Sequence, residues 1–60
     1  MEILRIHVVD IGTIVVSDSF DKIIYEYNST THEGWYHCWK DGKIFRDVNK
    51  RFVIAVDYKQ

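Results

Sequence analysis

The sequence of 60 residues contains no proline, one cysteine and three glycines. One cysteine cannot form an intrachain disulfide, and no cysteine cluster points to a structural zinc site. A chain of this length buries only about 60% of the surface that its unfolded form exposes, so a dense core, oligomerisation or both must supply its stability. We expect one domain that spans residues 1–60.

Long apolar runs and glycine-rich loops are missing as well. No stretch approaches the ~18 apolar residues that a membrane-spanning helix requires. Met1–Arg5 lacks the basic start and apolar run of a signal peptide, and three separate glycines do not form a phosphate-binding loop. These absences predict a cytoplasmic protein with no membrane contact and no cofactor, and the lone Cys38 fits a reducing compartment.

Charge is nearly balanced overall but unevenly distributed. The formal net charge is −1, yet residues 1–33 carry two basic and six acidic side chains, whereas residues 34–60 carry six basic and three acidic ones. The two halves either pair strand against strand or form a dipolar surface that steers a partner.

The strongest local signal that is present is Asp41-Gly42, which lies between two runs rich in aromatic and β-branched residues. Asp-Gly favours a two-residue hairpin loop, because both loop residues need positive φ angles. Counting outward from this loop sets the register of the two strands. The predicted pairs are Lys40–Lys43, Trp39–Ile44, Cys38–Phe45, His37–Arg46, Tyr36–Asp47 and Trp35–Val48.

Neither face of this central hairpin is cleanly polar, although a half-buried hairpin normally has one wet face. The second face is therefore either covered by the rest of the chain or offered to a partner. We expect the tryptophans to lie partly inside, because an indole contributes a large apolar surface. One face carries Trp35, His37, Trp39, Ile44, Arg46 and Val48, and the other carries Tyr36, Cys38, Lys40, Lys43, Phe45 and Asp47.

The sequence predicts three further strands, two near the start of the chain and one at its end. Glu2–Val9 and about 13–17 form a hairpin around Asp10-Ile11-Gly12, with Gly12 left-handed and Val8 opposite Ile14. Asp47–Lys50 is a turn candidate, and Phe52–Tyr58 alternates as the last strand, with Phe52, Ile54, Val56 and Tyr58 on one face.

The segment Phe20–Asn28 has two interpretations. Its aromatic and β-branched content favours a strand, whereas Phe20, Ile23 and Tyr27 also fall at helical spacing, with Asp18 or Ser19 as a cap. The sequence therefore predicts an all-β fold, a small antiparallel meander of five or six strands forming an open barrel or a strongly twisted sheet. The alternative is α+β, with a short helix at about 19–28.

Candidate catalytic and metal-binding residues do not converge in the sequence. His37 and Cys38 are neighbours on a strand and point to opposite faces, so the imidazole does not activate the thiol. The spacing of His32, His37 and Cys38 fits no zinc pattern, and Asp18 and Asp21 read as turn or cap residues. We expect a structural thiol, no metal and no catalytic activity.

Aromatic and basic side chains of the second half indicate binding to another macromolecule. Tyr, Trp and Arg dominate protein interfaces, so a protein partner is favoured, with the chain acting as an inhibitor or adaptor. The alternative is single-stranded nucleic acid, bound by a small β-barrel through the basic and aromatic residues of the 35–51 region. The same surface or the last strand could also form a homodimer. The expected partner surface is Tyr36, Lys40, Lys43, Phe45, Arg46 and Arg51, and the alternative face is Trp35, His37 and Trp39.

Overall fold

The computed structural model describes the backbone of residues 1–60 and every side chain except that of Asp18. Six strands follow one another, with a single helical turn after the second strand and a 3-10 turn at Lys50–Phe52 before the last strand. Neither turn has the length or the apolar character of a helix that crosses a bilayer. The strands are β1 (Ile3–Val8), β2 (Gly12–Val15), β3 (Lys22–Asn28), β4 (Glu33–Lys40), β5 (Lys43–Asn49) and β6 (Val53–Tyr58), and α1 is Val16–Ser19.

The strands form two three-stranded antiparallel sheets, in the orders β2–β1–β6 and β3–β4–β5. The predicted all-β architecture is confirmed. The last strand returns to pair with the first, so residues far apart in sequence close one sheet. The Phe20–Asn28 segment is a strand from Lys22 onward, and the alternative helix at about 19–28 is wrong. The proposed cap by Asp18 lies outside the described side chains.

The register of the first hairpin differs from the predicted one by two residues. Val8 pairs with Gly12 and Ile6 with Ile14, because the loop begins at Val9 and Asp10 takes a left-handed conformation (φ 65°). Gly12 has a positive φ, as predicted. A shift of two residues preserves the alternation of faces, so Ile6, Val8 and Ile14 are buried as expected. The second strand ends at Val15, and α1 replaces its predicted end.

The central hairpin follows the predicted register only next to its loop. Lys40 pairs with Lys43 and Trp39 with Ile44, but a β-bulge then makes Cys38 pair with Arg46 instead of Phe45. An extra residue in one strand reverses which of its side chains face the core. Beyond the bulge, Val48 therefore lies opposite Tyr36 instead of Trp35.

The core consequently takes the face that was expected to be exposed. Tyr36 and Cys38 are 7% and 0% exposed, and Ile23 of β3 lies opposite Cys38. Trp35 and Trp39 are half-buried, but the expectation that Tyr36 is exposed is wrong. The bulge and the β3 pairing place apolar residues of both neighbouring strands beside Tyr36 and Cys38. The buried apolar set is Ile3, Ile6, Val8, Ile14, Val16, Ile23, Tyr36, Cys38 and Val48.

The connection to the last strand is also shifted. Strand β5 continues through the predicted turn as far as Asn49, whose side chain accepts a hydrogen bond from the backbone N–H of Arg51 (3.0 Å) and begins the 3-10 turn. Strand β6 is bulged, since His7 pairs with Ala55 but Val8 pairs with Val53. Ile54 is consequently 71% exposed, and Val53 packs on the core. The predicted common face of Phe52, Ile54, Val56 and Tyr58 is wrong.

Candidate binding surface

The outward side of the β3–β4–β5 sheet, called the outer face below, presents both tryptophans. Trp35 and Trp39 are half-buried and alternate along β4 with core residues. On the flanking strands, Ile24 and Ile44 are 46% and 45% exposed. The registers place the following side chains together on this face: Trp35, His37 and Trp39 of β4, Lys22, Ile24 and Glu26 of β3, and Ile44 and Asp47 of β5.

His37 lies at the centre of the outer face and joins its three strands. Its Nε2 lies 3.1 Å from Oε1 of Glu26, and its Nδ1 hydrogen-bonds to Oδ1 of Asp47. A neutral imidazole has only one N–H donor, so both carboxylates are satisfied only by the doubly protonated ring. The hydrogen bond to Asp47 is the main cause that raises the pKa of His37, burial opposes it, and Glu26 adds to it.

Basic side chains cover several of the aromatic rings. Lys22 Nζ lies 5.1 Å from the ring centroid of Trp39, within the range of a cation–π contact. The guanidinium of Arg51 lies 5.0 Å from the ring of Phe52. Lys50 Nζ lies 5.8 Å from the ring centroid of Tyr25, so two basic side chains of the second half, Lys50 and Arg51, pack on aromatic rings of the same molecule.

The expected partner surface is only partly assembled. Lys40, Lys43, Phe45, Arg46 and Arg51 are exposed, whereas Tyr36 is buried and is wrong as an exposed contact residue. The exposed members do not share the outer face. They follow edge strand β5 from its loop to the 3-10 turn, with Phe45, the bulged residue, 64% exposed between them. We call this row of residues the basic edge.

A groove beside β3, called the tyrosine groove below, is a feature that the sequence interpretation missed. It is lined by Ile23, Tyr25, Tyr36 and Tyr58, together with the first residues of the chain. The Tyr25 and Tyr36 rings lie 4.9 Å apart, and Tyr25 packs over Gly34, where a Cβ atom would collide with it. Burial raises the pKa of Tyr36, and the nearby Tyr58 and Tyr25 add to the effect.

Cys38 is a free cysteine of the core. It is fully buried in the core, and burial raises the pKa of its thiol. A thiol with a raised pKa is a poor nucleophile. His37, the adjacent residue, lies on the opposite side of the sheet. Among the described side chains, no three His, Cys, Asp or Glu residues are grouped so that they could hold a metal ion. The two carboxylates beside His37 occupy opposite nitrogens of the ring.

The outer side of the other sheet carries a polar network that sequence reasoning did not single out. Nε2 of His7 lies 2.9 Å from Oδ2 of Asp57, and its Nδ1 lies 3.2 Å from Oγ1 of Thr13. Arg5 Nε donates to the same Asp57 oxygen at 2.6 Å. This order of groups resembles that of a hydrolase triad. However, Arg5 pairs with the carboxylate, and the threonine lies exposed on an open sheet.

Comparison of this chain with protein-family models, with curated proteins and with solved structures finds no match. The surfaces described above are therefore the basis for any functional conclusion.

Proposed function

We propose that this protein works by binding another protein through the outer face of the β3–β4–β5 sheet, as an inhibitor or adaptor without catalytic activity of its own. One observation carries the proposal: two tryptophans stand in a row on β4 between the exposed Ile24 and Ile44. Tryptophan is among the residues that contribute most to protein interfaces, and exposed apolar patches mark such sites.

The charges of the outer face favour a protein over a nucleic acid. The carboxylates of Glu26 and Asp47 lie on either side of His37, and Lys22, which packs on Trp39, is the third charged side chain of this face. A phosphate backbone laid over the tryptophans would meet these carboxylates. A protein surface can supply its own cations or donors to them.

Nucleic-acid binding remains a second candidate because of the basic edge. Lys43 and Arg46 are exposed on β5, with the exposed ring of Phe45 between them, and Arg51 is exposed in the 3-10 turn that follows. At ~3.3 Å per residue, the seven residues of β5 extend over roughly 20 Å. A row of cations with an aromatic platform is how small β domains hold single strands. The net charge of −1 weighs against it.

Two adjacent residues separate the candidates experimentally. Ile44 belongs to the outer face and Phe45 to the basic edge. The wild-type chain, Ile44→Asp and Phe45→Asp would be immobilised and exposed to native-cell lysate with and without nuclease. Binding of a protein that survives nuclease, is lost in Ile44→Asp and is retained in Phe45→Asp supports the proposal.

The salt dependence of the recovered complex is an independent measurement. A protein complex centred on aromatic side chains should respond weakly to ionic strength. A single-stranded nucleic-acid complex should weaken steeply, with a log–log slope of about −0.7 for each phosphate neutralised. Recovery of nucleic acid alone, lost in Phe45→Asp and steeply salt-dependent, would replace the proposal with the second candidate.

A further inference from the structure

The two sheets end in four edge strands, β2, β6, β3 and β5, and these differ in how well they are protected. Natural proteins protect edges with short strands, bulges and charges. Strand β2 has only four residues, β5 contains a bulge that exposes Phe45, and β6 contains one at Ile54. The last strand is therefore not the flat edge that its sequence suggested.

Strand β3 is neither short nor bulged, and its two charged side chains, Lys22 and Glu26, are opposite in sign. It is seven residues long and pairs with β4 in a register without a shift. In the described part of the chain, no backbone hydrogen bond joins β3 to any element other than β4. Its apolar side chains are open to solvent, with Ile24, Tyr25 and Tyr27 at 46%, 38% and 55% exposure. A long, regular and apolar edge is a template for pairing with another strand.

We infer that β3 pairs antiparallel with β3 of a second copy of this chain, across a twofold axis at Ile24. This pairing joins the two β3–β4–β5 sheets into one continuous sheet. The inference goes beyond the proposed function and is independent of it, since the outer face exists in each copy. In the dimer, the two outer faces lie side by side on one surface.

The charge pattern of β3 selects this register. In a symmetric antiparallel pair, faces match only when the twofold axis passes through a residue. An axis at Ile24 places Lys22 opposite Glu26 of the second copy, twice by symmetry. An axis at Glu26 places the two glutamates opposite each other, which is destabilising. An axis at Tyr25 places Lys22 opposite Asn28 and forms no charge pair.

On the inner face of the paired β3 strands, the same register places side chains beside the tyrosine groove. With the axis at Ile24, Tyr25 of the second copy lies opposite Ile23, which lines that groove beside the free edge of β3. In its own copy, the Tyr25 ring packs against Tyr36, and both rings line this groove. Apolar contact between Tyr25 and Ile23 on the inner face and charge pairing on the outer face therefore favour the same arrangement.

Sedimentation velocity over a range of concentrations tests the dimer. The wild-type chain should show a reversible, concentration-dependent monomer–dimer equilibrium. Ile24→Lys should weaken the dimer at least tenfold, because it places two lysines directly opposite each other. Ile44→Lys is the matched control, since Ile44 has nearly the same exposure as Ile24 on the same face but lies on β5, and it should leave the dimer unchanged.

A charge exchange tests the register. Lys22→Glu and Glu26→Lys should each be monomeric, because each creates like-charge pairs in its own dimer. An equimolar mixture should form a heterodimer, in which both pairs are again opposite in charge. Circular dichroism verifies that the variants are folded. If Glu26→Lys does not fold, the comparison of Ile24→Lys with Ile44→Lys decides.

Three results would overturn the inference. A wild-type chain that stays monomeric at every concentration removes the dimer. Equal weakening by Ile24→Lys and Ile44→Lys, or by neither, removes β3 as the contact. Folded single-charge variants that do not associate when mixed remove the twofold axis at Ile24.

Discussion

Alternation alone places Tyr36 and Phe45 on the same face of the central hairpin, but the β-bulge gives the two side chains different exposure. Tyr36 is 7% exposed, whereas Phe45 is 64% exposed. Replacing a buried aromatic residue by alanine removes its contacts and leaves a cavity, at a cost of about 3–5 kcal/mol. Replacing an exposed one changes stability by only about 0.5 kcal/mol. Tyr36→Ala should therefore be strongly destabilising and Phe45→Ala nearly neutral.

The destabilisation expected of Tyr36→Ala is comparable to the free energy of unfolding of the whole chain. At about 0.05–0.15 kcal/mol per residue, a chain of 60 residues has a free energy of unfolding of roughly 3–9 kcal/mol. Tyr36→Ala is accordingly expected to lose about half or more of the free energy of unfolding at 25 °C. Tyr36→Leu fills part of the cavity and provides a measurable intermediate, and Tyr36→Phe keeps the ring and should remain close to the wild type.

Urea denaturation followed by circular dichroism and tryptophan fluorescence measures these differences. Equal losses in Tyr36→Ala and Phe45→Ala would refute the reasoning, because both residues would then share one environment. That result would also restore the unbulged register, in which Cys38 lies opposite Phe45.

Three further predictions concern single side chains. The imidazole of His37 should titrate by NMR above its ordinary pKa of about 6.5, so its stabilising effect is complete below that pH and is lost as the pH rises through the raised value. His37→Asn should remove this pH dependence, and titration at or below 6.5 would contradict the double hydrogen bond. Cys38→Ser should destabilise by about 1–3 kcal/mol, since it buries a hydroxyl among apolar side chains, while partner binding is retained; a folded variant that loses binding would make the thiol functional. Gly34→Ala should destabilise by about 1–3 kcal/mol through its collision with the Tyr25 ring, and a double-mutant cycle with Tyr25→Ala should recover most of that loss.

The sequence predicted the hairpin loops correctly where the conformation depends on the loop residues themselves. Asp41-Gly42 specified the central loop and the first two pairs beside it, and Gly12 took the positive φ expected of it. In the first hairpin, the loop begins one residue earlier than predicted, but the error of two residues left the core face unchanged. Side-chain alternation has a period of two, so it tolerates that error.

The binding surface was less predictable, because one extra residue in a strand reverses its faces. Nothing in the run Lys43–Val48 signals a bulge at Phe45, and the buried position of Tyr36 follows from that bulge. The bridge from Glu26 through His37 to Asp47 also depends on it, since the unbulged register places Arg46 opposite His37.

The sequence by itself determined that this chain is small and all-β, has no intrachain disulfide, and has an excess of aromatic and apolar side chains for its size. Composition and turn chemistry act within a few residues, so they are readable without the fold. Only the tertiary structure decided which face of β4 is buried, which edge strand is left unprotected and which charges lie together. Those properties depend on pairing between strands and on single-residue bulges, whose energies come from contacts distant in sequence.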